Sequence, residues 1–109
     1  MNVTLFGCKD TTLHTAKFLK KLNLNINLVT ISPSVASTNQ VAGYEDLTLE
    51  DSLFDSIYVA KTYSLKEADA AEILKLKALH LGFCIGWQRL IPDEILDAFR
   101  VGVFGMHGS

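Results

Sequence analysis

CIGWQRLIPDEILDAFRVGVFGMHGS, residues 84–109, is the stretch that decides the fold. It reads as the end of an apolar strand, a turn from Gly86 to Pro92, a short helix and a second apolar strand ending at Met106. Pro92 suits the first position of a helix, since its fixed φ is already helical and its missing N–H is not needed there. Asp93 and Glu94 follow in the first turn, where negative charge favours the helix dipole. Two strands joined through a helix run parallel, and the crossover between them is right-handed. The unit therefore predicts a parallel sheet with helices on its faces.

Outward from that unit the pattern repeats. Residues 79–86 are the most apolar run and predict a central strand, and residues 56–60 predict another. Between them, Ser64-Leu65-Lys66-Glu67 has the form of a capping box, opening a helix to about Lys77. At the start, residues 3–7 predict a strand. Thr11 or Thr12 then offers a helix cap, and Leu13, Ala16, Leu19 and Leu22 recur at helical spacing opposite Lys17, Lys20 and Lys21. Asn23 and Asn25 end that helix, and the β-branched run 26–32 predicts a strand closed by Pro33. Residues 34–53 are small and polar and predict a long loop with one helical turn near 47–53; loops of that length usually carry function. The chain reads as one α/β domain over residues 1–109, with a Rossmann-like, doubly wound, mostly parallel sheet of about five strands. The first strand should lie beside the fourth at the switch point, bringing Gly7-Cys8, Gly86-Trp87 and His107 to one edge of the sheet.

Composition narrows the function classes. The chain has 109 residues, 49% of them hydrophobic, so a packed core is expected. Ten basic against 12 acidic residues give a net charge of −2, too little field to gather nucleic acid or anionic lipid. No direct nucleic-acid contact is evident. The first residues lack the basic and apolar regions of a signal peptide, and residues 78–87, the longest nearly apolar stretch, are too few to span a bilayer. Two cysteines, Cys8 and Cys84, are too few for a disulfide scaffold and point to a reducing cytoplasm.

Candidate chemistry gathers near the end of the chain. The turn 86–92 offers main-chain amides and carbonyls before a helix, flanked by Trp87, Leu90 and Ile91. A flat heteroaromatic ring suits such a ledge, with its edge read by the main chain and its faces covered by apolar side chains. The same residues also describe an ordinary strand-to-helix loop whose tryptophan closes the core. His107 stands at a strand end among Gly105, Gly108 and Ser109, which leave room for close approach; it reads as a proton donor and acceptor near neutrality or as a hydrogen-bonded strand terminus. His14 and His80 lack partners at metal-ligand spacing and read as structural. Cys8 and Cys84 read as core thiols, and Glu45, Asp46, Glu50, Asp51 and Asp55 as a solvated run. Gly7-Cys8-Lys9-Asp10-Thr11 has neither the dinucleotide glycines nor the P-loop Lys-Ser/Thr, which argues against a nicotinamide or nucleoside triphosphate enzyme. The paired acidic residues of a phospho-receiver domain are missing as well.

Three stretches resemble the N-terminal catalytic domain of the formyltransferases that use 10-formyltetrahydrofolate. They are residues 3–7 with 11–22, residues 28–33, and above all residues 85–109, with their Arg-Leu-Ile-Pro turn and His-Gly-Ser ending. The family includes enzymes acting on methionyl-tRNA, glycinamide ribonucleotide and sugar amines; the methionyl-tRNA and sugar-amine members are the most alike. The resemblance implies transfer of a formyl group from 10-formyltetrahydrofolate to a primary amine, with no metal. Its pterin ledge maps to Arg89, Leu90, Ile91 and Pro92, and its proton-handling residue to His107. The resemblance also implies a catalytic Asp beyond residue 109, so that the chain would be about half of the catalytic domain, an incomplete formyltransferase fold.

Gly105 stands where that family usually places an Asn whose amide donates to the oxyanion. Losing one such donor typically costs on the order of 10²–10³ in rate. These two departures leave catalysis by this chain open. The alternative is a non-catalytic α/β module, or truncated relative, that binds a pterin-like ligand or a protein partner. An oligomer joined through an uncovered sheet edge is a further expectation.

Overall fold

The computed structural model describes residues 1–76 and 79–105. Five short strands form one all-parallel sheet: β1 (Asn2–Phe6), β2 (Asn25–Ile31), β3 (Ser56–Ala60), β4 (Leu81–Cys84) and β5 (Gly102–Gly105). Their order is β3-β2-β1-β4-β5, with the switch point between β1 and β4. This is the α/β, Rossmann-like arrangement that the alternating pattern predicts. Phe6 is the register partner of both Val29 and Cys84, so β1 is the axis of the sheet.

Apolar side chains leave the sheet on both faces, as a doubly covered parallel sheet requires. On one face Val3, Leu5, Ile26 and Leu28 pack with Ala16 and Leu19 of helix α1 (Asp10–Lys21) and Leu47 of a 3₁₀ segment (Leu47–Leu53). On the other, Phe6, Val29, Ile31 and Cys84 pack with Ala36 of α2 (Pro33–Thr38), Ala70 and Ile73 of α3 (Ala68–Leu74), and Ile95 of the one-turn helix α4 (Asp93–Leu96). Among the described residues no helix is long and apolar enough to cross a membrane.

Several local expectations give way to tertiary contacts. Lys9, not Thr11 or Thr12, is the residue before α1. The Thr12 hydroxyl, three positions on, accepts from Lys9 N (3.3 Å) and donates to the carbonyl of Ile85 (2.5 Å), tying α1 to the end of β4. Pro33 does not merely close β2; it opens α2, which the Ser32 hydroxyl caps by accepting from Val35 N (3.2 Å). The expected loop 34–53 is thus helical at both ends.

The Ser64–Glu67 capping box is not formed. α3 begins at Ala68, and Leu65 and Glu67 take positive φ of 56° and 55°. Leu65 is buried in the core, and that demand places the segment in a backbone region its sequence does not favour. Pro92 precedes α4 rather than starting it. Lys77, the expected end of the third helix, and Met106, the expected end of the fifth strand, lie outside the described residues.

Candidate functional site

The carboxyl ends of β1 and β4 do meet. Ile85 N donates to Phe6 O and Cys8 N to Gly86 O, each at 3.1 Å. A side chain on Gly7 would overlap Thr12 and the Ile85 carbonyl, and Gly86 holds φ +75°, so this closeness requires both glycines. The switch point is nevertheless filled. Residues 44–45 cross it: Glu45 N donates to Cys8 O (2.8 Å), and Tyr44 Oη donates to Ile31 O (2.7 Å). Burial pushes the Cys8 thiol up to about 11, only partly offset by Lys9, and burial also raises Cys84. Both thiols are protonated and unreactive near neutrality.

Open space lies to either side of the turn that follows β4. A pocket of about 170 Å³ is lined by Cys84, Arg89, Leu90, Ile91, Leu96, Val103 and Gly105. Its floor is the end of β4 and β5, where Cys84 and Gly105 are register partners. A second cleft, about 600 Å³, runs over the outer side of the turn along Ser64, Lys66, Gln88, Ile91, Pro92 and Asp93. A third, about 390 Å³, lies between α2 and residues 61–64, with Arg89 closing it.

Of the residues singled out in the sequence, Arg89, Leu90, Ile91 and Gly105 come together around the pocket of about 170 Å³, and Pro92 lines the outer cleft. Leu90 is 88% exposed, an unusual state for a leucine beside a cavity. Among the described residues, the N–H groups of Arg89, Leu90 and Ile91 and the carbonyls of residues 88–91 make no hydrogen bond within the chain. Trp87 goes elsewhere. It is 5% exposed and packs edge-on against Tyr63 at 4.7 Å, and its enclosed indole N–H has no partner among the described residues. Its contribution is packing beneath the turn. His107 lies outside the described residues.

The residues that hold this region in place form no motif in the sequence. Tyr63 is the hub: its hydroxyl accepts from Gln88 N (2.7 Å), and the Arg89 guanidinium lies 5.5 Å from its ring centre. Burial raises its pKa, so the phenol stays neutral. Arg89 also donates to Asn39 Oδ1 (3.2 Å), and Asn39 is itself fixed by donating from Nδ2 to Val35 O (2.8 Å).

Asp69, 1% exposed, anchors the loop before Tyr63. Its carboxylate accepts from Tyr58 Oη (2.5 Å), Lys61 N (2.8 Å), Thr62 N (2.9 Å) and Thr62 Oγ1 (2.7 Å). Burial pushes the Asp69 carboxyl up, but these four donors together outweigh it and hold the group below the ordinary carboxylate value. Burial, together with the bond to Asp69, pushes the Tyr58 phenol up to about 12. A signal for this cluster did exist: Lys61-Thr62-Tyr63-Ser64 follows the third strand, a position as favourable for ligands as the end of the fourth.

Chemically the region offers an apolar slot beside main-chain donors and acceptors that are unpaired among the described residues, and next to it a cleft lined by two cations and several hydroxyls. Among the described residues no group of three or more His, Cys, Asp or Glu side chains is placed to hold a metal ion. No protein-family model matches the chain, and no curated protein matches it.

Proposed function

We propose that this chain is the folate-binding part of a formyltransferase that moves a formyl group from 10-formyltetrahydrofolate to a primary amine of the methionyl-tRNA or amino-sugar type, working in the cytoplasm. One observation carries the reading. The main chain of residues 89–91 is free of intrachain hydrogen bonds among the described residues and edges an apolar pocket at the carboxyl ends of β4 and β5. A pterin matches that description: its edge is a row of donors and acceptors, and its faces are apolar. At about 170 Å³ the pocket is smaller than sites for whole drug-sized ligands, roughly 300–1,000 Å³, so it takes one ring system and leaves the rest of the folate outside.

In this reading Leu90 and Ile91 cover the ring, Arg89 and Pro92 frame the turn, and Gly105 floors the pocket without obstructing it. His107 handles the proton passed between the attacking amine and the leaving folate nitrogen. Gly105 favours the second reading, a module that binds a pterin-like ligand without transferring formyl, because it supplies no side-chain donor for an oxyanion.

Calorimetric titration with folinic acid, the stable 5-formyl analogue, tests the binding step common to both. Saturable binding is expected, with a loss of at least about tenfold in Leu90→Asp, whose exposed side chain leaves the fold intact. No binding, or equal binding by Leu90→Asp, refutes the pterin assignment. Formyl transfer to an amine acceptor then separates enzyme from module.

A further inference from the structure

We propose that the cleft between α2 and residues 61–64 is a binding subsite for an esterified phosphoryl group, held by Arg89 and Lys61. This goes beyond the folate reading and does not depend on it. The cleft measures about 390 Å³, and its lining holds two cations, Lys61 and Arg89, and no carboxylate. Neither cation makes an ion pair among the described residues. A free arginine on a surface normally wanders in solvent. Arg89 instead is oriented by the Tyr63 ring below and the Asn39 carbonyl beside it, and both supports are neutral. Only one of its five N–H donors is used by Asn39, leaving the rest of the fork for an anion.

The frame around these cations is rigid. The Asp69 carboxylate pins the backbone of Lys61 and Thr62, and Tyr63 is buried. Asn39 faces Arg89 because its own amide is held by Val35 O. The Thr38 and Ser64 hydroxyls line the cleft and make no intrachain hydrogen bond among the described residues. Donors thus approach from three separate segments: α2, the loop after β3 and the turn after β4.

A carboxylate has two coplanar oxygens and suits one fork. A phosphoryl group presents three oxygens in a tetrahedral array and matches donors on three sides. Thr38, Lys61 and Thr62 are exposed, so the cleft opens to solvent and an ester substituent has a way out. The ligand class is therefore a phosphate monoester or diphosphate.

The test is a titration of the chain at fixed ionic strength with pyrophosphate, glycerol 3-phosphate, inorganic phosphate and acetate, following the Arg89 Nε–Hε resonance by NMR. Saturable shifts are expected with the three phosphates. Glycerol 3-phosphate should bind at least as tightly as inorganic phosphate, and acetate at least about tenfold more weakly than pyrophosphate. Arg89→Met, Lys61→Met and Asn39→Asp, the last placing a carboxylate against Arg89, should each weaken pyrophosphate binding about tenfold or more. Circular dichroism should show all three folded. For the lysine and asparagine variants the Arg89 resonance remains the reporter, and calorimetry reports for Arg89→Met. Acetate binding as well as pyrophosphate, a linear response, or unaffected binding by folded Arg89→Met overturns the proposal. Inorganic phosphate bound about tenfold tighter than the monoester overturns the esterified assignment. Phosphate binding without folinic acid binding leaves this subsite standing and removes the pterin reading; the converse removes this subsite.

Discussion

Replacing Asp69 by asparagine keeps the shape of the side chain and removes half of its capacity to accept. The carboxylate receives four hydrogen bonds at 2.5–2.9 Å, from Tyr58, Lys61 and twice from Thr62. In the Asp69→Asn variant the remaining oxygen can serve Tyr58 Oη and Lys61 N. The new NH₂ then faces Thr62 N–H, and the Thr62 hydroxyl can turn round to accept, but the backbone N–H cannot. Two losses follow: a charge-assisted bond worth about 1.5–3 kcal/mol and a half-buried backbone donor left without its acceptor, which costs toward the lower end of about 1–3 kcal/mol. Partial relaxation makes about 3 kcal/mol the expected destabilisation at pH 7, a large share of the roughly 5–15 kcal/mol typical of a domain. The melting temperature should fall by about 12–20 °C.

The pH dependence gives the sharper test. Because the folded pKa is held below its ordinary value of 3.8, the carboxylate's contribution is fully present above that value and is lost as pH falls through the folded pKa. Urea denaturation of both proteins between pH 7 and pH 2.5 should therefore show a difference that is constant above about pH 5 and narrows below about pH 4. A difference under about 1 kcal/mol at pH 7, or one that stays constant into acid, refutes the argument that Asp69 is an ionised anchor for the loop.

Two further outcomes follow from the same sheet edge. Gly7→Ala puts a methyl group into the Thr12 side chain and the Ile85 carbonyl, so it should destabilise the chain by about 3 kcal/mol in urea titration; a change below about 1 kcal/mol refutes the close approach of β1 and β4. Cys8, with its pKa pushed up to about 11, has about one thiol in a thousand ionised at pH 8. Together with burial, this should make both thiols react with Ellman's reagent on the order of 100-fold more slowly in the folded chain than in guanidinium, and equal rates would place them at the surface.

The sheet was legible because its signal is redundant. Each strand of a doubly covered parallel sheet must be apolar on both faces, and runs such as residues 26–31 and 81–85 leave little else to do. Once those runs alternate with helical spacing, the handedness rule places β1 beside β4 without knowledge of any contact. The helix starts were less legible because each was decided by a partner distant in sequence. Thr12 looks like a cap until Ile85, 73 residues away, takes its hydroxyl proton. Ser64 and Glu67 form a good local capping box, yet the burial of Leu65 and the claims on Asp69 outweigh it. Local rules give the spacing of residues; they say nothing of which donors the core has already engaged.

The same limit explains what was visible of the site. Residues 89–91 could be found because a single local fact, a turn at the end of an apolar strand, makes them candidates. Arg89 and Asn39 are 50 positions apart, and Tyr63 and Gln88 are 25 apart, so no periodicity joins them. What joins them is topology. β3 and β4 sit on opposite sides of the β2–β1 pair, but the segments after both strands, with α2 after β2, lean toward the same end of the sheet and converge over it. The carboxyl-end rule, applied to every strand rather than to the last two, selects residues 61–64 and 33–39 as well as 86–92. All strand ends thus form one surface, because the parallel sheet makes them neighbours whatever their separation in sequence.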